Sequence, residues 1–192
     1  MAIIKWRWTG SKYVAAGVGV AIAVAAWFVP GSVVAGTVAG VVDGDTVRVQ
    51  TSEGTVTVRV WGVDCPETRQ PFGRDAAEFT AKVCGGEVVS VRVKAKDRYG
   101  RIVGEVVTST GLNVGHELLR AGLAWWYEEY APRDMDKKRL QFEARNGKMG
   151  LWRQRSPTPP WLWRRARQSW KRETSPACTA GDVRVCVGLL EA

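Results

Sequence analysis

The 192-residue chain has one histidine, His116, and four cysteines. A single imidazole excludes zinc sites built from several histidines, and it leaves Ser-His-Asp chemistry possible only through His116. Four cysteines in this length do not make a disulfide-dense miniprotein. No internal repeat is visible, and the first 35 residues contain no acidic side chain. The central body has little net charge: residues 36–152 carry 17 basic and 16 acidic groups. The formal charge of +9 therefore resides largely in the two ends, with three basic groups in residues 1–35 and eight against three acids in residues 153–192. A general basic-protein argument for nucleic-acid binding would rest on those appendages, so the body has to be read from its chemistry. With 45% apolar and 24% charged residues, the composition is that of a folded chain of one domain plus extensions.

The N-terminal end has the order of an export signal. Lys5, Arg7 and Lys12 precede an uncharged, Ala- and Val-rich run from Tyr13 to Val29, broken by Pro30-Gly31. Val33 and Ala35 then supply small residues at the −3 and −1 positions for a cut before Gly36. The 17-residue run (13–29) is also at the lower edge of the roughly 17–25 residues that span a bilayer. Residues 1–35 are thus expected to be a signal peptide or an uncleaved membrane anchor. Either way the body is expected outside the cytoplasm.

Between residues 36 and 152 the pattern alternates strands and helices. Thr37–Val42, Val47–Val49 and Thr55–Trp61 read as strands, the first two joined by an Asp43-Gly44 hairpin signal. A helix is expected from Pro71 to the Gly85-Gly86 stop, with Ala76, Phe79, Thr80 and Val83 on one face. Strands over Val88–Val93 and Arg101–Thr108 follow, then helices over Leu112–Ala121 and Asp134–Asn146.

Three polar turns interrupt this pattern: Asp43-Gly44-Asp45-Thr46, Asp64-Cys65-Pro66-Glu67-Thr68 and Asp97-Arg98-Tyr99-Gly100-Arg101. They combine hard oxygen donors (Asp45, Asp64, Glu67) with permanent cations (Arg59, Arg101). A phosphodiester transition state concentrates negative charge on its equatorial oxygens. Arginine forks and a divalent cation can neutralise that charge, and arginine suits the task better than lysine because it grips two oxygens.

These three turns, in this order and spacing, resemble the staphylococcal nuclease (thermonuclease) family over about residues 37–152. Asn113, Leu119–Ala124 and Gly150-Leu151-Trp152 match as well, and Pro159-Pro160-Trp161-Leu162-Trp163-Arg164 resembles an ending seen in many bacterial members. The resemblance implies an α+β fold: an OB-type five-stranded β-barrel with three helices, here preceded by the apolar leader. It implies metal ligation by Asp45, Asp64 and the Cys65 backbone carbonyl, with Asp43 as a supporting acid beside the metal. It implies catalytic roles for Arg59, Glu67 and Arg101, and substrate contacts by Tyr99 and Tyr130. Oxygen-only ligation suits Ca²⁺, with waters and a substrate phosphate filling the shell. The implied activity is calcium-dependent hydrolysis of DNA and RNA at the 5′ P–O bond, by a monomer, with little sequence preference. The rival readings are a nucleic-acid-binding OB module without catalysis and a membrane-tethered envelope protein whose barrel binds a partner.

Several features have plainer readings. His116 is an ordinary helix residue, and Trp125-Trp126-Tyr127 serves packing. Cys84 belongs to the core. The extension from residue 153 to 192 carries seven basic residues between Arg153 and Arg172, interleaved with Trp161, Trp163 and Trp170. It is expected to pack on the barrel and attract polyanions modestly, with anionic lipid as another partner for the same chemistry. Cys178 and Cys186 close a short loop that would form a disulfide outside the cytoplasm, a free pair being the alternative.

Overall fold

The computed structural model describes residues 29–173. Residues 1–28 and 174–192 lie outside the described residues, and with them nearly all of the apolar run and both Cys178 and Cys186. No helix among the described residues is long and apolar enough to cross a membrane.

Among the described residues, seven strands and four α-helices are present in the order β1 (Val33–Asp43), β2 (Thr46–Thr51), β3 (Gly54–Val60), β4 (Val63–Asp64), α1 (Gly73–Cys84), β5 (Val88–Lys96), β6 (Ile102–Thr108), α2 (Val114–Arg120), β7 (Trp125–Trp126), α3 (Met135–Asn146) and α4 (Pro160–Glu173). A short 3₁₀ turn spans Gly150–Arg153. Five strands close into a barrel in the order β1-β2-β3-β6-β5, and β4 pairs with β7 in a separate two-stranded ribbon. All neighbours in the barrel are antiparallel except β3 and β6. The expected α+β barrel with three helices is therefore present, and α4 adds a fourth helix, beginning at Pro160. Proline fits the first helical position because its missing N–H would have no partner there.

Valine dominates the interior. Val47, Val49, Val58, Val60, Val89, Val91 and Val93 are fully buried, alternating along their strands with exposed or half-buried residues. Branching at Cβ suits this narrow pleated interior. The face opposite Val58 and Val60 carries Arg59. Register sets Arg59 against Thr46 on β2 and against Val103 on the parallel strand β6. Arg101, two residues before Val103, thus lies on the same outer face of the barrel as Arg59.

Small residues let the polar turns come together. Helix α1 presents Gly73, Ala76, Thr80 and Cys84 as its buried face. Thr80 Oγ1 donates to the Gly44 carbonyl at 2.6 Å. A Cβ on Gly44 would lie 2.7 Å from the Cβ atoms of both Ala76 and Cys65, so only glycine lets the β1–β2 turn sit against α1 and the loop after β4. Gly73 is equally constrained: a Cβ there would meet the Glu67 carbonyl at 1.9 Å. The helix starts at this glycine, two residues later than Pro71, after Phe72 takes up a left-handed backbone (φ 68°).

Strand β1 begins earlier than the sequence suggests. Val33, Val34 and Ala35 pair with Arg92, Val91 and Ser90 of β5, and Val34 is buried. The small-residue exit before Gly36 therefore lies inside a barrel strand. A chain beginning at Gly36 should be less stable than one beginning at Pro30 by about 2–4 kcal/mol, from one buried valine and the lost strand pairing. Urea unfolding of the two chains measures this, and equal midpoints would show that the first turn of β1 contributes nothing.

Candidate active site

Two of the three polar turns, those of Asp45 and Asp64, converge at one end of the barrel through Arg59. Its Nη1 donates to Asp45 Oδ1 at 2.8 Å and its Nη2 to Asp64 Oδ1 at 2.7 Å. The two carboxylates, 19 residues apart in sequence, are thus joined by the two prongs of one guanidinium. Asp64 is completely buried and Asp45 nearly so. Asp45 Oδ2 accepts the backbone N–H of Cys65 at 2.9 Å, and Oδ1 also accepts the Thr46 hydroxyl at 3.0 Å. Asp43 Oδ1 accepts the N–H of Asp45 at 3.2 Å and closes the turn.

Charge in this cluster is only partly balanced. Burial pushes the Asp45 carboxyl up to about 7, against the pull of Arg59 and the Cys65 N–H, with Asp43 and Asp64 adding like charge. Burial alone would lower the Arg59 guanidinium, but Asp45 and Asp64 hold it above its ordinary value. The buried Cys65 thiol is raised by desolvation and then by the neighbouring carboxylates, so it stays protonated.

Glu67 lies beside the pair. Its backbone N–H donates to Gln70 Oε1 at 3.2 Å and its carbonyl accepts the Gln70 N–H at 2.7 Å. Its carboxylate accepts from a residue that sequence reasoning left in the C-terminal extension. Arg164 Nη1 donates to Glu67 Oε1 at 2.8 Å and to Asp64 Oδ1 at 3.2 Å, and Arg164 Nη2 donates to Asp64 Oδ2 at 2.8 Å. The only sequence signal for this residue was its place at the end of the Pro-Pro-Trp-Leu-Trp-Arg motif.

Arg101 makes its contacts elsewhere. Its Nε donates to Asp97 Oδ2 at 2.7 Å, while Asp97 Oδ1 accepts the backbone N–H groups of Tyr99 and Arg101 at 2.9 Å each. Burial would raise the Asp97 carboxyl, but these bonds hold it below the usual range. Tyr99 is exposed, hydrogen-bonded to Arg98 and within 5.6 Å of the Arg101 guanidinium. Tyr130 is exposed and packs edge-on against Tyr127, whose ring stacks on Trp161 at 5.5 Å and 8°.

Residues 57–154 match the model of the "Staphylococcal nuclease homologue" family. Among similar proteins, one of Escherichia coli named "Uncharacterized endonuclease" is 43% identical over 129 residues, covering 67% of this chain and 84% of that protein. A Shigella flexneri protein named "Micrococcal nuclease" is 35% identical over 164 residues, covering 81% and 92%. The chain belongs to the staphylococcal nuclease family. It is a nuclease of that family, a phosphodiester hydrolase. The Escherichia coli "Protein ParB" is also similar, at 36% identity over 139 residues, covering 68% of this chain and 78% of that protein.

His116 sits away from this cluster. Its ring is half-buried, and burial first, then Lys137, lower its pKa. Its backbone N–H is the donor capped by Asn113 at the start of α2. Trp126 is buried with its indole N–H on the Ala131 carbonyl, and Trp125 packs edge-on against Trp152 and Trp161, so this aromatic run serves packing.

The raised Asp45 carboxyl makes a pH prediction. A folded pKa above the unfolded one means that folding takes up a proton between about pH 4 and pH 7, so stability falls as pH rises through that window. In chelator, Asp45→Asn should lose this slope and gain stability relative to the parent at about pH 8 compared with about pH 5. Urea titrations at both pH values measure it. Parallel pH profiles for the two proteins would mean that Asp45 is not the strained group.

Proposed function

We propose that the chain is an exported, Ca²⁺-dependent nuclease that hydrolyses phosphodiester bonds of DNA and RNA with little sequence preference. The observation that carries this reading is the convergence of Asp45, Asp64, Arg59 and Glu67 in one cluster. Export is supported by the basic start, apolar run and small-residue exit of residues 1–35. The pairing of Val33–Ala35 in the barrel favours a mature chain that keeps those residues, whether by a cut further upstream or by a retained anchor.

The donor set fits a hard divalent cation. Asp45 and Asp64 offer only oxygen, and the Asp45 carboxyl, pushed up first by burial and then by the like charge of Asp43 and Asp64, would be relieved by a cation beside it. Among the described residues no group of three or more His, Cys, Asp or Glu side chains forms a cage. Ligation here would therefore rest on Asp45, Asp64 and the Cys65 carbonyl, with Asp43 in support and with water and substrate phosphate completing the shell. When bound, the cation would supply charge neutralisation at the scissile phosphate.

The protein's own groups supply the rest. Glu67 is more than a third exposed, next to the buried carboxylates, where it can orient or deprotonate the attacking water. Arg59 and Arg101, on one outer face of neighbouring strands, can each turn a fork toward phosphate oxygens as charge builds on them. Tyr99 and Tyr130 stand exposed at the rim as substrate contacts. Sequence preference is low because these contacts are to phosphate and not to base edges.

Purified protein should digest plasmid DNA and RNA with Ca²⁺ and lose that activity in excess chelator. Mg²⁺ should support less, since it keeps its waters and demands stricter octahedral geometry. Full activity in chelator would overturn the calcium reading. Arg59→Lys and Arg101→Lys keep the charge and lose the fork, so each should lower kcat by about 10²–10³-fold, the scale for losing one transition-state donor. A lysine variant that turns over at the parent rate would remove that arginine from the site.

A further inference from the structure

Helix α4 reaches the carboxylates from outside the barrel. Its position does not depend on them. Trp161 stacks on Tyr127 and meets Trp125 edge-on at 5.7 Å. Gln70 Nε2 donates to the Thr158 carbonyl at 2.6 Å, tying the approach to α4 to the loop that carries Glu67. Pro160 is buried and Trp163 half-buried. From this anchored helix Arg164 sends a fork onto both oxygens of Asp64, with a third bond to Glu67. The neighbouring Arg165 and Arg167 are exposed.

The acceptors matter more than the charge. Asp64 is the buried carboxylate assigned above to the cation, and Glu67 is the group assigned to the attacking water. With Arg59 on Oδ1 and Arg164 on both oxygens, Asp64 accepts three charge-assisted bonds. A divalent cation at Asp64 would face a guanidinium held at hydrogen-bond distance in a poorly screened position. Two cations compete for one carboxylate, and the arginine has the advantage of being tethered. Its side chain is also long and about a third exposed, so it can leave Asp64 without undocking the helix.

We propose that Arg164 is an active-site residue that competes with the divalent cation for Asp64 and Glu67, and so sets the calcium concentration at which the enzyme becomes active. This rests on the reading of Asp45 and Asp64 as cation ligands. In the absence of metal the guanidinium neutralises the site from within. Metal must displace it, and its departure frees Glu67 Oε1 to accept a proton from water. The helix is a built-in restraint whose strength is that of the Arg164 bonds alone.

The test is calcium binding to the full chain without substrate, by calorimetry, comparing the parent with Arg164→Ala and Arg164→Gln. Removal of charge-assisted bonds worth about 1.5–3 kcal/mol should tighten calcium binding by roughly ten- to a hundredfold in both variants. Arg164→Lys should fall between them and the parent. Asp64→Asn in the Arg164→Gln background should abolish the gained affinity, because the competition is for that carboxylate. Thermal melts identify any variant that does not fold. Glutamine keeps a polar side chain and the helix preference of the site should alanine fail. Equal or weaker calcium binding by a folded Arg164 variant overturns this inference and leaves the calcium reading intact. Absence of calcium binding in the parent and every variant overturns both.

Discussion

Everything at this end of the barrel depends on making a fully buried carboxylate tolerable. Asp64 has no access to solvent, and Asp45 sits beside it under almost as much cover. An unpaired buried ion costs several kcal/mol even after the protein relaxes. Arg59 offsets that cost for both at once, with one prong to each. For this to work, three segments have to arrive in register: β3 with Arg59 opposite Thr46, the β1–β2 turn carrying Asp45, and the end of β4 carrying Asp64. The candidate site is therefore complete only once β2, β3 and β4 are in place. Arg59 thus holds the fold at the place where the proposed chemistry needs it, since its loss would leave Asp45 without its ion-pair partner and Asp64 with Arg164 alone.

The scaffold meets this demand with small residues. Gly44 lets a turn that carries two carboxylates lie against Ala76 and Cys65, and Thr80 supplies that turn with a hydroxyl donor. The irregular register between Val41 and Asp43 bends β1 just before the turn, as bulges beside functional sites commonly do. Gly73 and the left-handed Phe72 fold the Glu67 loop back over the first turn of α1. Left-handed backbone at a bulky residue costs roughly 1–2 kcal/mol, and here it sits five residues from the group that would handle the attacking water. Strain of that kind persists where neighbouring contacts fix the chain, and Gln70 bonds to Glu67 on one side and Thr158 on the other.

Much of this was legible in the sequence, for physical reasons that differ by element. The barrel strands showed themselves through valines alternating with polar residues, because one face of each is sealed and the other is wet. The polar turns stood out because Asp45, Asp64 and Glu67 interrupt that alternation beside turn formers. The start of β1 was hidden: Val33-Val34-Ala35 is as good an exit from a leader as it is the first turn of a strand, and only its partners on β5 distinguish the two. Phe72 was hidden because nothing in a phenylalanine announces positive φ. Arg101 read as a fork for phosphate oxygens, and its bonds within the described structure run to Asp97, four residues away.

Arg164 was the hardest to find because it is one arginine in a basic run. Between Arg153 and Arg172 the charges look interchangeable, which is how a flexible polyelectrolyte would use them. The structure makes them unequal. Trp161 and Pro160 fix the helix start, and a helix turns successive residues by about 100°, so Arg165 is swung off the face that carries Arg164, while Arg167, nearly one turn further along, is exposed. The aromatic residues that suggested base stacking instead decide which arginine this is. Trp161 spends its face on Tyr127, and that contact, 97 residues beyond the loop of Asp64, determines where the guanidinium ends. Charge that looks diffuse in a composition thus becomes a single bond donor at a defined carboxylate, and packing is what makes the difference.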